Sequence, residues 1–487
     1  MQETIFELPQ TLESINGGCS RYDLDQVYPI SGNVGSPTTY VGTGQATGNT
    51  VFQWRDNKWW SPIQSYFYLQ LAFTKNATAV PVADGVAYVD NPASTLFTQV
   101  KTYVNSDPLD SITTPWIIDS ALTYANSHKN FNDTFGTMSR IGESLMTRIY
   151  NVANNSGIVE VAFRPAVSLL DVALLPPGAQ FKIEFTWASQ ANLIFEAVKK
   201  SISIGVGAND YNVAIQSFYL MKAVVTPGPN VEVPAHGVIE LSPTAAMQYF
   251  ANNTNTLRQN ITLPATTNRI LCVFQDNNPV TVSDVQALAG VTYSGVGNGF
   301  NPATSFLPYF SNSNGSAAYY IQQLYINLPE LGVTEPNPTY NFTGIQDYMR
   351  AYADYCNITQ GTKYKSEGSL PFGNISKTVG ATIIGPTTPN TGDFNNPDRY
   401  IYVDISTALA VTAYNQTALY GWVGKKQIFA FPVVRPENKP VTSGTLNVTF
   451  TGSPTNAVAT ILATYSMALV VENDGTGLYN YKLVQGV

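Results

Sequence analysis

Apolar and polar residues alternate along several segments of the chain, and this period of two predicts half-buried β-strands. Ser65–Thr74 alternates and is rich in aromatic residues, and in Phe181–Phe185 apolar residues flank a Lys and a Glu. The surrounding segment Val159–Trp187 predicts a strand, a short helix over Ser168–Leu174, a Pro-Pro-Gly turn and a second strand. Further strands are predicted at Ile215–Val225, Asn268–Gln275, Tyr320–Leu328, Arg399–Ile405, Gly444–Phe450 and Ala459–Val471.

Two other segments have apolar residues at helical spacing. Ile141–Tyr150 and Asp347–Tyr355 each predict a short helix between late strands of their half of the chain. With these exceptions the pattern is that of strands and turns, so the predicted fold class is all-β.

The clearest break in the chain is the turn-forming segment Thr226–Asn230, in which two prolines flank a glycine. Each half ends in an apolar strand followed by a turn, which predicts two copies of one β architecture joined near Pro227–Pro234. The predicted divisions are an extended, loop-rich lead-in over 1–50, a first domain over 51–228 and a second over 229–487. Residues 75–115 look like a long insertion.

Charged residues make up only 12% of the chain, about half of the roughly 25% that is usual. Because the cores of protein interfaces are depleted in charge, this composition favours a surface covered by neighbouring subunits. The formal net charge is −8 and there is no basic arm, so direct binding of nucleic acid is not expected. Residues 1–20 contain no Lys or Arg, and no apolar stretch approaches 18 residues, so neither a secretory signal nor a membrane span is predicted.

Candidate chemistry is sparse. The three cysteines, Cys19, Cys272 and Cys356, are far apart and predict buried or half-buried free thiols rather than a zinc site. The only histidines, His128 and His236, fall in a predicted turn and in the linker, where a structural or surface role is favoured over catalysis.

The carboxylates are scattered as well. Asp404 lies in an apolar strand and could serve a glycosidase, but no partner carboxylate stands out, and a solvated or salt-bridged role is favoured. Asp56, Asp276 and Asp474 fall in Asn-rich turns. The sequence therefore predicts no catalytic residue, no cofactor site and no metal site.

Aromatic residues and sequons leave other functions open. Trp54, Trp59 and Trp60 could form a platform on which sugars stack, although packing in a sandwich or an interface is favoured. Eleven Asn-x-Ser/Thr sequons would suit a surface glycoprotein, but a chain rich in Asn, Ser and Thr produces them by chance. The alternative function is therefore a carbohydrate-binding or surface-adhesin β-sandwich.

The segment Phe163–Trp187, with its short apolar helix, Leu-Pro-Pro turn and alternating strand, resembles the first jelly roll of double jelly-roll major capsid proteins of DNA viruses. This family includes the capsid proteins of virophages, polinton-like viruses and adintoviruses. Asn268–Gln275 and Gln322–Leu328 resemble strands of its second domain. The usual run of acidic residues and Arg that follows the second-half helix is not clearly present around Tyr400–Ala410.

The resemblance implies two tandem jelly rolls, each with a short helix, connected by long loops, and a structural protein rather than an enzyme. It implies a homotrimer that forms a pseudo-hexameric capsomer of an icosahedral virion shell, assembled inside the host cell. The implied partners are neighbouring capsomers, penton proteins and minor capsid proteins. On this basis the outer loops are expected at 75–115, 250–265 and 290–318.

Overall fold

The computed structural model is dominated by antiparallel β-strands, as the alternating pattern predicts. It describes residues 19–30, 38–40, 49–55, 57–81, 86–88, 92–113, 115, 117–118, 145–153, 157–187, 195–197, 211–227, 235–251, 253–276, 309–311, 318–331, 339–342, 345–360, 428–435, 439–454 and 457–485.

The first half of the chain forms two four-stranded antiparallel layers. Its strands are β1 (Cys19–Val27), β2 (Thr38–Tyr40), β3 (Asn49–Arg55), β4 (Trp59–Lys75), β5 (Val86–Tyr88), β6 (Phe97–Val104), β7 (Asp107–Thr113), β8 (Ile158–Phe163), β9 (Gln180–Trp187), β10 (Phe195–Ala197) and β11 (Tyr211–Pro227). One layer has the order β1-β11-β4-β8 and the other β3-β9-β6-β7. Short β2 extends the first layer, and β5 pairs with β10.

The second half repeats this arrangement. Its strands are β12 (His236–Leu241), β13 (Thr244–Ala251), β14 (Thr256–Thr262), β15 (Thr267–Asp276), β16 (Tyr309–Ser311), β17 (Ala318–Asn327), β18 (Tyr340–Asn341), β19 (Ile428–Pro432), β20 (Ser443–Phe450), β21 (Ala457–Tyr465), β22 (Met467–Asn473) and β23 (Tyr479–Gln485). One layer has the order β13-β21-β15-β19. The other has the order β14-β20-β17, and β17 also pairs with the short strands β16 and β18. A separate sheet has the order β12-β22-β23.

The strand order identifies both halves as jelly rolls. If the eight main strands of a half are counted along the chain, one layer in each half reads first, eighth, third, sixth. The facing layer reads second, seventh, fourth, fifth, with β18 as the fifth strand of the second half. This is the eight-stranded, double Greek-key order of a jelly roll, and the chain contains it twice.

The helices occupy equivalent places in the two jelly rolls. Helix α2 (Leu145–Ala153) and helix α3 (Ile345–Gln360) each connect the fifth and sixth strands of their half, which confirms the predicted short helix in each. Helix α3 packs against β19, and its buried residues Ala351 and Tyr355 lie one turn apart. A four-residue helix α1 (Pro92–Thr95) precedes β6, and 3₁₀ helices span Ser168–Asp171 and Pro329–Leu331.

Aromatic side chains fill the space between the two layers of the first jelly roll. Phe67 of β4 is fully buried, and its ring centroid lies 5.1 Å from that of Phe52 and 4.9 Å from that of Phe185, both of the opposite layer. Phe163 and Phe218 complete the cluster at 5.7 and 5.8 Å from Phe67. Most of these rings meet edge to face or tilted, the arrangement that aromatic quadrupoles favour.

Strand β1 corrects the interpretation of residues 1–50 as a loop-rich lead-in. It pairs with β11 from Cys19 to Val27 and is therefore the first strand of the first jelly roll. Its alternation is hard to recognise, because it is an edge strand in which Leu24 remains 44% exposed and Asp23 and Asp25 are only half-buried.

Two predicted outer loops are also wrong in part. Residues 75–115 contain β6 and β7, and residues 250–265 contain β14, all three of them strands of a jelly-roll layer. Only Leu257 and Ile261 of β14 are buried, so its sequence is polar although its backbone is fully paired with β20. Most of the predicted loop 290–318 and the whole predicted strand Arg399–Ile405 lie outside the described residues.

The apolar run Ala459–Val471 forms two strands instead of one. Strand β21 ends at Tyr465, and β22 begins at Met467 in a different sheet. Thr266 stabilises the chain between the two strands, because its hydroxyl donates to the Ser466 carbonyl at 2.7 Å. Hydrophobicity alone cannot locate such a change of sheet, since both strands are buried.

We expect Phe67→Ala to lower the free energy of unfolding by about 3–5 kcal/mol, because it opens a cavity among four aromatic rings. Phe250→Ala is the matched control, since Phe250 is 56% exposed, and it should cost about 1 kcal/mol or less. Denaturant unfolding measures both. Equal losses for the two variants would show that Phe67 is not a core residue.

Candidate functional site

Of the two histidines and the strand carboxylate considered for catalysis, the structure describes only His236. His236 is exposed at the start of β12, where its backbone pairs with Glu472. Among the described residues, no three His, Cys, Asp or Glu side chains lie close enough together to hold a metal ion. His128, Asp56 and Asp404 lie outside the described residues.

Of the two remaining carboxylates predicted to lie in turns, one lies in a turn and the other lies in a strand. Asp474 forms the predicted Asx turn, in which its Oδ1 accepts hydrogen bonds from the Thr476 amide at 2.8 Å and the Thr476 hydroxyl at 2.6 Å. These bonds lower the pKa of Asp474. Asp276 does not lie in a turn, because it is the last residue of β15 and pairs with Ala457.

The three tryptophans are packed inside the protein. Trp54, Trp59 and Trp60 are 8%, 7% and 1% exposed, and the rings of Trp54 and Trp60 meet edge to face at 5.0 Å. The indole N–H of Trp60 donates to Ser65 Oγ at 2.9 Å. Because their faces are covered by protein, these rings offer no platform for a sugar, and the packing interpretation is confirmed.

Cys272 is a fully buried free thiol in the middle of β15, as predicted. Burial raises the pKa of this thiol well above its usual value, so the nucleophilic thiolate is suppressed. The structure gives no side-chain description for Cys19 and Cys356.

Asp110 is a buried carboxylate that the sequence analysis did not single out. Its Oδ1 accepts hydrogen bonds from the Ser168 amide at 3.1 Å and the Ser168 hydroxyl at 2.8 Å. Its Oδ2 accepts from the Thr102 hydroxyl at 2.6 Å and lies 3.4 Å from the Leu169 amide. Asp110 therefore fastens the start of the 3₁₀ helix to β7. Burial raises its pKa, although these hydrogen bonds act in the opposite direction.

Charged groups from both halves meet near this 3₁₀ helix. Arg164 Nη2 donates to the Leu170 carbonyl and lies 3.7 Å from Asp171 Oδ1. Arg269 of the second half donates to Thr464 Oγ1 at 3.1 Å. Burial lowers the pKa of both guanidinium groups, and the charge of Asp171 opposes the shift in each. The 3₁₀ helix thus stands at a junction between the two jelly rolls, where β13 also contacts β7.

An aromatic patch forms another part of this junction. Tyr479, at the start of β23, is 3% exposed, and its ring centroid lies 5.8 Å from that of Trp59. Tyr481 lies edge to face with Phe181 at 5.9 Å. These aromatic contacts, like the charged groups near the 3₁₀ helix, join the two halves of the chain.

One signal in the sequence could have revealed β7, the strand that carries Asp110. Strands β6 and β7 are joined by only Asn105 and Ser106, and Asn105 has a positive φ of 54°. An Asn-containing pair between alternating segments is a hairpin signal. This part of the predicted insertion 75–115 could therefore have been predicted as a hairpin. The contacts between the halves had no comparable signal, because they join residues hundreds of positions apart.

The remaining sequence expectations concern membranes and glycans. None of the helices within the described ranges is long and apolar enough to cross a membrane. Of the sequon asparagines, Asn76 lies in an exposed turn, whereas Asn447 is half-buried in β20.

The sequence matches no protein-family model and no curated protein. Solved structures do match. A chain of the PBCV-1 virus capsid aligns with a TM-score of 0.50 at 12% identity, over 99% of this chain and 98% of that chain. A chain from the 3.5 Å cryo-EM structure of the Sputnik virophage aligns with a TM-score of 0.52 at 12% identity, over 100% and 92%. The mavirus major capsid protein aligns with a TM-score of 0.46 at 10% identity, over 99% and 93%.

The chain has a double jelly-roll fold. The first two alignments support this assignment over nearly the whole length of both chains, and the duplicated strand order agrees with it. At 12% identity the likeness concerns the fold alone.

We expect Asp110→Ala to lower the free energy of unfolding by about 3–5 kcal/mol, because the substitution leaves buried N–H and O–H donors without an acceptor. Asp474→Ala removes an exposed carboxylate of the same kind and should cost about 1 kcal/mol or less. Thermal or denaturant unfolding compares the two. If Asp110→Ala were as stable as Asp474→Ala, Asp110 would have no anchoring role.

We expect Cys272 to resist alkylation in the folded chain, since burial both shields the thiol and suppresses the thiolate. Iodoacetamide treatment followed by mass spectrometry of the Cys272 peptide measures this. The same peptide should become labelled when the chain is treated in denaturant. Rapid labelling under native conditions would contradict the buried position of β15.

Proposed function

We propose that this double jelly-roll chain is the major capsid protein of a DNA virus. Three copies would form a pseudo-hexameric capsomer, and capsomers would tile an icosahedral shell. The observation that carries the proposal is the jelly-roll strand order present twice in one chain. It is supported by the alignment with chains of the PBCV-1 virus capsid and the Sputnik virophage over nearly their full lengths.

The tandem arrangement suits this role geometrically. Two similar sandwiches in each of three chains provide six similar blocks, so a threefold particle can fill a position with six neighbours. We propose that the chain divides into these blocks near residues 228–229. The first block would then include β1 as well as the predicted range 51–228, and the second would occupy 229–487.

The composition fits a shell subunit. A chain with 12% charged residues and a net charge of −8 is suited to extensive contacts with its own copies and poorly suited to direct contact with nucleic acid. We therefore propose that its partners are other copies of itself, neighbouring capsomers, and penton and minor capsid proteins, and that it resides in the virion. We propose a structural role for the chain rather than a catalytic one.

The alternative of a carbohydrate-binding sandwich or adhesin has less support. It depended on the tryptophans as an exposed platform, and these residues are buried. The sequons remain compatible with it, but they include the half-buried Asn447 in β20.

We expect the purified chain to form a trimer of about three times its mass of 52.9 kDa. Light scattering on a sizing column measures this directly, and electron microscopy should show pseudo-hexagonal blocks. The fraction of trimer should rise with protein concentration if the subunits exchange. A folded species that stays monomeric at every concentration would count against the capsomer.

A further inference from the structure

Strand β23 belongs to neither jelly-roll layer of its own half. It is the outer strand of the small sheet β12-β22-β23, in which β22 pairs with β12 on one side and with β23 on the other. Strand β12 follows the first jelly roll in the chain, and β22 follows the last strand of the second. This sheet thus stands apart from the sixteen strands that make up the two sandwiches.

Two tyrosines of β23 contact the first jelly roll through hydrogen bonds to one turn. The Tyr479 amide donates to the Pro177 carbonyl at 2.9 Å. The Tyr481 hydroxyl donates to the Pro176 carbonyl across about 300 positions of sequence. Carbonyls of a Pro-Pro turn therefore accept from a strand of the other half.

Aromatic packing reinforces the same contact. The ring of Tyr479 meets Trp59 edge to face at 5.8 Å, and that of Tyr481 meets Phe181 at 5.9 Å. Trp59 and Phe181 belong to opposite layers of the first jelly roll, and both are buried. Tyr479 and Tyr481 consequently cover one end of its core.

Gly178 shows how closely the two halves approach. It has a φ of +124°, and a Cβ atom placed on it would lie 2.5 Å from the Tyr479 carbonyl oxygen and 2.7 Å from the Tyr479 nitrogen. Both atoms are backbone, so neither can move aside without displacing β23. The Pro-Pro-Gly turn thus has its glycine at the point where β23 crosses it.

We propose that the hairpin β22–β23 is a clasp that holds the two jelly rolls in one fixed arrangement. Its docking site is the groove formed by Trp59, Pro176–Gly178 and Phe181, and the occupant of that groove is Tyr479–Tyr481 of the same chain. A chain connection between two sandwiches does not by itself fix their orientation, and relative motion is the default where domains share a small interface. The clasp adds directional hydrogen bonds and aromatic contacts that are satisfied in one arrangement.

The consequence for assembly rests on the proposed capsid function. A capsomer with six similar blocks needs each pair of blocks to keep a constant angle, and the clasp supplies that constancy within each subunit. The same groove could be filled by β23 of a second copy if the hairpin were released, which would be a strand exchange between subunits. The proposal commits to the contact within one chain.

The mild test is Tyr481→Phe, which removes the hydroxyl that donates to Pro176 and keeps the ring. Hydrogen–deuterium exchange of the full chain should show exchange of β23 amides about fivefold faster, the effect of losing one net hydrogen bond. Tyr28→Phe is the matched control, because Tyr28 is 56% exposed and its hydroxyl donates to Gln26 of the adjoining strand β1. It should leave β23 unchanged.

The severe test is Gly178→Ala, which places a methyl group against the Tyr479 backbone. We expect peptides covering both Pro176–Phe181 and β23 to lose protection, and small-angle X-ray scattering to give a larger radius of gyration. Asn253→Ala controls for backbone strain, since Asn253 has a φ of +52° and lies in the connection between β13 and β14, outside the clasp. It should leave the Pro176–Phe181 peptides and the radius of gyration unchanged.

The outcomes separate the clasp from the capsid function. Unchanged protection in both Tyr481→Phe and Gly178→Ala would overturn the clasp, whatever the oligomeric state. Loss of protection upon dilution of the wild-type chain to monomers would show that β23 docks on a second copy, and would also overturn it. A wild-type chain that stays monomeric, yet responds to the variants as expected, would retain the clasp and contradict only the capsomer.

Discussion

The insertion of each jelly roll's eighth strand between its first and third strands is the constraint on which the rest of the structure depends. In the first half, β11 pairs with β1 along one edge and with β4 along the other, and β21 does the same between β13 and β15. The pairings of the eighth strand with the first join residues about 200 positions apart. Without the pairings on both edges of the eighth strand, the layer that contains β4 in the first half and β15 in the second is divided, and the aromatic cluster around Phe67 lacks Phe218 of β11. Long-range pairing of this kind carries a high entropic cost and relies on a large buried core to offset it.

The location of polar groups follows from this closure. Once the layers are complete, the 3₁₀ helix that follows β8 must cross the end of the sandwich, and Asp110 satisfies its first amides there. The same end carries Arg164 and Asp171, and Arg269 of the second half comes close to them. Arg164 is largely buried, and its guanidinium donates to the Leu170 carbonyl beside the exposed carboxylate of Asp171. Because a buried charge is costly unless it is paired, this neighbouring acceptor and counter-ion offset part of its cost.

The chain therefore contains two complete sandwiches and a junction that exists only because both are present. Each sandwich follows a strand order used by many proteins, and such an order alone does not indicate a function. The proposed role depends on having two of them in one chain, at a fixed relation. The sheet β12-β22-β23 lies outside both sandwiches and joins them, since its outer strand β23 packs against the core of the first half.

Elements with a local signal could be predicted from the sequence alone. The alternation of Phe181, Ile183 and Phe185, the Pro-Pro-Gly turn and the two helices follow from side-chain periodicity and turn chemistry, and the structure has them where the pattern predicts. Edge strands β1 and β14 were missed, because one or both of their faces meet solvent and their residues are largely polar. Three other features could be seen only in the folded chain. The run after Ala457 divides between two sheets, Asp110 is buried, and β23 packs against Gly178. Each of these depends on atoms brought together from distant parts of the chain, and periodicity carries no information about such meetings.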